Sequence, residues 1–169
     1  MTTASRIVVM GPAGSGKSLI GAELAARLGL PFVDADDLHP AANVAKMAAG
    51  TPLDDDDRMP WLDVVGAVLR DHADGAVVAC SALARRYRDR IRAIAPDAWF
   101  VELRVDRGEL ARRMTTRDHF MPSTLLDSQL DALEHLGADE AGAAVVNDGE
   151  PAVVVERIRA ALVGPQSLR

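Results

Sequence analysis

Short apolar runs alternate along this chain with longer stretches in which apolar residues return every three or four positions. Ile7-Val8-Val9-Met10 reads as a buried strand, and Ile20, Leu24, Ala25 and Leu28 after it fall on one helical face that ends near Gly29. Pro31-Phe32-Val33 predicts a second strand, halted by Asp34-Ala35-Asp36-Asp37. A helical segment from about Ala41 to Ala49 closes at Gly50-Thr51-Pro52, and Trp61, Leu62, Val65, Val68 and Leu69 define the packed face of the next helix. Ala76-Val77-Val78-Ala79-Cys80 is the third predicted strand, with Ser81 at its carboxyl end, and Trp99 to Val105 is the fourth. Asp106 is placed to cap a helix carrying Leu110 and Met114. The periodicity breaks over Arg117 to Pro122, resumes from Ser123 to about His135, and gives way to a fifth strand at Ala143-Ala144-Val145-Val146. A last amphipathic helix runs to about Val163, and residues 164–169 read as a frayed tail. Strands that alternate with helices imply right-handed crossovers and a parallel sheet covered on both faces, hence a three-layer α/β fold.

Between the first strand and the first helix lies Gly11-Pro12-Ala13-Gly14-Ser15-Gly16-Lys17-Ser18, which satisfies G-x-x-x-x-G-K-[ST] at every fixed position. Its glycines allow consecutive N–H groups to turn inward around a phosphate at the positive end of the following helix. Lys17 is then expected at the β- and γ-phosphates and the Ser18 hydroxyl on Mg²⁺, so the first functional expectation is a nucleoside triphosphate site.

Composition narrows the partners. A chain of 169 residues with a formal net charge of −6 suits one domain, 1–169, and disfavours nucleic acid or an anionic membrane as the main partner. An anionic substrate must then be drawn in by a local group of arginines. Cys80 is the single cysteine and reads as a small core residue. No apolar run approaches the ~20 residues needed to span a bilayer, which points to the cytoplasm. The stretch Arg85 to Arg92 is dense in arginine; it reads mainly as a solvated helix face with one or two members turned towards a ligand.

Several separate stretches together resemble one family, the gluconate kinases of the small P-loop kinase group. They are Gly11 to Ser18; Asp34-Ala35-Asp36-Asp37-Leu38-His39-Pro40 with Asn43, Lys46 and Met47; Pro52-Leu53, Asp55, Asp57-Arg58 and Pro60-Trp61-Leu62; Cys80-Ser81-Ala82-Leu83; Tyr87-Arg88-Asp89; and His119-Phe120-Met121 with Ser128-Gln129. The resemblance implies a five-stranded parallel sheet of order 2-3-1-4-5, a small lid at about residues 113–122, a homodimer, and transfer of phosphate from ATP to D-gluconate. Two departures mark this chain. Ala84 stands where the family usually has Lys, and Arg113, Arg117 and His119 leave one residue fewer before the histidine than the usual R-x-x-x-R-x-x-H-F lid.

On that resemblance Asp36 is the candidate to orient the acceptor hydroxyl and take its proton, with Asp34 an outer partner of Mg²⁺ and Ser18. Arg58, Arg88, Ser81, His39 and His119 are candidate substrate ligands, the arginines because a guanidinium offers paired donors to a carboxylate. Lys17, Arg113 and Arg117 are the cations expected to offset charge on the transferred phosphoryl group, and adenine is expected near Asp148 and Pro151. The competing readings are a shikimate-type kinase and a nucleotide-dependent switch. Shikimate kinases resemble one another in a glycine-rich turn after the third strand, where this chain has Cys-Ser-Ala-Leu, and no guanine-reading N-K-x-D pattern is present.

Overall fold

The computed structural model describes residues 4–116 and 123–164. Five strands form one parallel sheet: β1 (Arg6–Met10), β2 (Phe32–Asp34), β3 (Ala76–Ala79), β4 (Trp99–Arg104) and β5 (Gly142–Val146), in the order β2-β3-β1-β4-β5. This is the expected order. β1 is the central strand, and four of its five residues are buried, as a strand covered on both sides requires.

Alternation along the strands divides the core in two. Val8, Met10, Val78, Cys80 and Phe100 face one way and pack on Trp61, Leu62, Val65 and Leu69 of α3 (Asp55–Asp71) and on Tyr87 and Ile91 of α4 (Arg85–Ile94). Ile7, Val9, Val77, Val101, Leu103 and Val145 face the other way, onto Ile20 and Leu24 of α1 (Lys17–Leu28) and Val154, Val155 and Ile158 of α7 (Pro151–Val163). Leu110 and Met114 of α5 (Arg107–Thr116) and Leu126 of α6 (Ser123–Ala132) make a third, smaller cluster against Ala13. That cluster seats a helix pair directly beside the phosphate loop.

The structure departs from the periodicity reading at two places that matter for the site. Ala35–Leu38 is a 3₁₀ turn, entered at Asp34, and it leads to the short helix α2 (Ala41–Ala48). The acidic run Asp54 to Asp57 is the start of α3: Asp54 accepts from the Asp57 N–H, the Asp57 carboxylate accepts from the Asp54 N–H, and Asp55 to Asp57 occupy the positive end of the helix. Arg58 therefore sits on the first turn of a helix, aimed by it.

Candidate active site

The phosphate loop leaves the carboxyl end of β1 and enters α1 through Gly16, whose φ of 91° lies in the left-handed region. A Cβ there would come within 2.6 Å of Asn147 Nδ2, so both backbone shape and space call for glycine. No side chain caps α1, which leaves its first N–H groups directed to the concavity of the loop, the arrangement that binds phosphate. Three other segments hold the loop: Gln129 Oε1 of α6 accepts from the Ala13 N–H at 2.6 Å, Asn147 Nδ2 donates to the Ser15 carbonyl at 2.8 Å, and Arg113 of α5 donates to the Gly14 carbonyl at 3.1 Å. Lys17 Nζ donates to the Pro12 carbonyl at 3.2 Å, across the mouth of the loop.

Beside it, at the carboxyl end of β2, one carboxylate serves two neighbours. Asp34 Oδ2 accepts from Ser18 Oγ at 2.6 Å while its Oδ1 accepts from the Asp36 N–H at 3.0 Å. Asp34 thus links the loop to the 3₁₀ turn. Burial, and then the Asp34 charge, push the Asp36 carboxyl above the usual aspartate range, opposed by Lys17 and His39. Ser18 and Asp34 supply hard oxygen donors suited to Mg²⁺, and among the described residues no group of three or more His, Cys, Asp and Glu forms a cage of its own. Mg²⁺ ordinarily takes one or two protein oxygens and fills the rest of its octahedron with phosphates and water, so this donor set fits.

Across from the loop, His39 stacks on Trp61 with ring centroids 4.1 Å apart, and Trp61 Nε1 is anchored on the Ala35 carbonyl at 2.7 Å. Arg58 donates to Tyr87 Oη at 3.0 Å; that oxygen also accepts from Arg86 and donates to Asp55 at 2.6 Å. The Tyr87 ring lies under the guanidinium groups of both Arg58 and Arg86. The Ser81 carbonyl accepts from the Gly11 N–H at 3.3 Å, so the turn after β3 touches the first residue of the phosphate loop. Asp34, Asp36, His39, Arg58 and Ser81 are thereby gathered on the loop side of the sheet, at strand ends or on the elements that follow them, where open parallel sheets bind ligands.

Arg88 is elsewhere. Its side chain is 0% exposed and makes a paired contact with Glu140, at 2.8 and 3.0 Å, together with hydrogen bonds to the Ala82 and Leu83 carbonyls. The expectation that it binds substrate is corrected: the helical face that buries Tyr87 and Ile91 buries Arg88 with them. Its work is internal, because Ala82 is the one non-glycine described residue with positive φ, at 44°, and Arg88 ties down the carbonyls on that turn. Arg113, expected among the cations near the transferred phosphoryl group, lies against the phosphate loop, and its partners include Glu109, the Gly14 carbonyl and the Asn147 carbonyl. Arg117, His119 and most of the expected lid lie outside the described residues.

With this geometry in view, a family model described as shikimate kinase matches residues 13–161. A gluconokinase from Gluconobacter oxydans (strain 621H) is 46% identical over 156 residues, covering 90% of this chain and 88% of its own. A thermosensitive gluconokinase from Escherichia coli (strain K12) is 46% identical over 138 residues, covering 79% of this chain and 73% of its own. The chain belongs to the gluconokinase family. A crystal structure of a gluconokinase from Sinorhizobium meliloti 1021 superposes with a TM-score of 0.87 at 44% identity, covering 96% of this chain and 93% of that one.

Within the gluconokinase frame, Asn147 is the residue that sequence reasoning passed over, and it is a support alongside four residues that the resemblance marked only as parts of its motifs. Asn43, Trp61, Tyr87, Gln129 and Asn147 hold His39, the 3₁₀ turn, Arg58 and the phosphate loop in place. The sequence did not assign them these contacts, because apart from His39, four residues from Asn43, their partners stand far off in the chain. Cys80 is buried, and burial pushes its thiol up to about 12, which suits the packing role expected of it.

Proposed function

We propose that this chain catalyses ATP + D-gluconate → 6-phospho-D-gluconate + ADP, using Mg²⁺. The observation that carries the reading is the Ser18–Asp34–Asp36 linkage, which sets the Asp36 carboxyl, on the turn that follows β2, beside the phosphate loop of a member of the gluconokinase family. Gly11 to Ser18 cradle the ATP phosphates, and Lys17 neutralises charge that builds on them. Ser18 and Asp34 would hold Mg²⁺, which would offset negative charge on the phosphate groups during transfer. Asp36 orients the acceptor hydroxyl and accepts its proton as the oxygen bonds to phosphorus; the bond from phosphorus to the ADP oxygen breaks. Partial desolvation of the carboxyl and the neighbouring Asp34 charge suit Asp36 for this, since raising its affinity for a proton improves it as a base.

Arg58, fixed by Tyr87, binds the carboxylate or hydroxyls of the sugar acid; His39 and Ser81 line the same site. Arg113 steadies the loop, and Arg117 and His119 complete a lid over about residues 113–122 that excludes water during transfer. The chain works as one kinase domain in the cytoplasm, as a homodimer, which the family resemblance supports. No helix among the described residues is long and apolar enough to cross a membrane. The test is ADP release with ATP, Mg²⁺ and a panel of sugar acids and shikimate. Gluconate-dependent turnover is expected, and turnover only with shikimate, or slow hydrolysis whatever acceptor is present, overturns the reading.

A further inference from the structure

The contacts of His39 determine which of its ring nitrogens carries a proton. Asn43, 3% exposed on α2, directs Nδ2 to two atoms: the Asp57 carbonyl at 3.1 Å and His39 Nδ1 at 3.2 Å. A carbonyl oxygen only accepts, so the Asn43 amide must present its NH₂ group on that side; turning it over would set two acceptors against each other. The second proton of that NH₂ then meets His39 Nδ1, which must accept. A proton on Nδ1, in the other neutral form or in imidazolium, would oppose the amide N–H. One face of the ring is covered by Trp61, and among the described residues Nε2 has no hydrogen-bond partner. Burial lowers the basicity of the ring; of the charged groups that act on it, both on the proposed substrate side, Asp36 opposes that effect and Arg58 adds to it.

We propose that Asn43 is a positioning residue that locks His39 as the neutral Nε2–H form, so that the ring offers a fixed N–H donor to an acceptor oxygen of the sugar acid. The inference rests on the gluconokinase reading for the identity of the acceptor, but not for the state of the ring. A neutral donor suits a polyhydroxy acid in a site that already holds Arg58. It adds direction to recognition without a second desolvated cation. The lock is built from a buried amide whose other proton is committed to α3, so the ring follows the position of that helix.

The test has two arms. Long-range ¹H–¹⁵N spectra of the uniformly labelled full chain at neutral pH, with His39 assigned through His39→Gln, report the ring directly. A pyridine-like Nδ1 and a pyrrole-like Nε2 are expected, and a protonated Nδ1 overturns the lock. In Asn43→Asp the new carboxylate accepts where the amide donated and should draw a proton onto Nδ1, visible in the same spectrum. In the kinetic arm, His39→Phe keeps the stack on Trp61 but loses the donor. The gluconate KM should rise roughly two- to tenfold, the span of one neutral hydrogen bond, with the ATP KM little changed. His39→Gln, which restores an N–H near the position of Nε2, should recover most of that loss. Equal gluconate KM values for wild type and His39→Phe overturn the donor role. Absence of any gluconate-dependent turnover in the wild type is a different failure, that of the proposed function, and the spectra remain decisive for the lock.

Discussion

Replacing Arg88 by methionine separates two accounts of this side chain. As a substrate ligand, its loss would raise the gluconate KM in a stable protein; as the buried partner of Glu140, its loss should unfold the protein more readily. The side chains are 0% and 1% exposed. Removing one member of such a pair generally costs about 3–5 kcal/mol, because the remaining charge stays buried. Glu140 would keep the Gly137 N–H and Arg92, and Leu83 would keep the Glu134 N–H, but the Ala82 carbonyl would lose its Arg88 hydrogen bond. The lower part of the range, about 3–4 kcal/mol, follows, or roughly 6–16 °C in Tm for a chain of this size. The same pair shows in the titration of Glu140: burial alone would raise its carboxyl, but Arg88, the Gly137 N–H and Arg92 together outweigh it and bring it from 4.5 to about 2, and only the Arg88 share of that stabilisation is lost in the variant.

The sign of that shift sets the pH dependence. A carboxyl with a depressed folded value contributes its full stability above its unfolded value and loses it as pH falls through the folded one. The gap between wild type and Arg88→Met should therefore be constant above about pH 5 and narrow as pH falls from about 4.5 towards 2. Urea unfolding followed by circular dichroism across that range measures it. A variant that unfolds within about 1 kcal/mol of wild type at neutral pH, well below the range for a broken buried pair, while its gluconate KM rises tenfold, would refute the assignment of Arg88 to the core.

Three further outcomes follow from the site. Asp36→Asn should lower kcat by ~10²–10⁴-fold with gluconate binding largely kept, as for loss of a general base; near-normal kcat with poor gluconate binding, in steady-state assays, would make it a ligand instead. Arg58→Ala should raise the gluconate KM by roughly 10- to 100-fold with ATP affinity unchanged, the range for a lost charge-assisted bond, and equal losses for both substrates would indicate ion pairing within the protein. Gly16→Ala should weaken ATP binding by about one to two orders of magnitude in calorimetry, since strain of ~1–3 kcal/mol at φ 91° is added to a clash with Asn147; unchanged binding would show that the loop has room the geometry denies it.

The strands were legible because buried parallel strands admit little but apolar residues: Ile7 to Met10 and Ala76 to Ala79 stand out against any polar surroundings. The phosphate loop was legible because its glycines answer to backbone shape. Asp34 and Asp36 could be placed together, but not the 3₁₀ turn between them, since Asp-Ala-Asp-Asp reads equally as a solvated bend. The burial of Arg88 was not legible for a physical reason. Charge density from Arg85 to Arg92 suggests an exposed face, and only the helical spacing of Tyr87, Arg88 and Ile91 hints that one arginine points inward. Its counterion lies 52 residues away, where local pattern carries no information.

The three side chains that grip the phosphate loop bear on where conformational entropy is spent. Gln129, Asn147 and Arg113 come from α6, the β5–α7 connection and α5, and each fixes a different peptide group between Ala13 and Ser15. A free glycine-rich loop would surrender ~1–2 kcal/mol per residue on closing around a nucleotide. Here that ordering is completed when the chain folds, so the encounter with a triphosphate begins from a receptor already in shape. Affinity and folding are thereby tied together: a substitution on α6 that never touches nucleotide can loosen its binding by returning disorder to the loop.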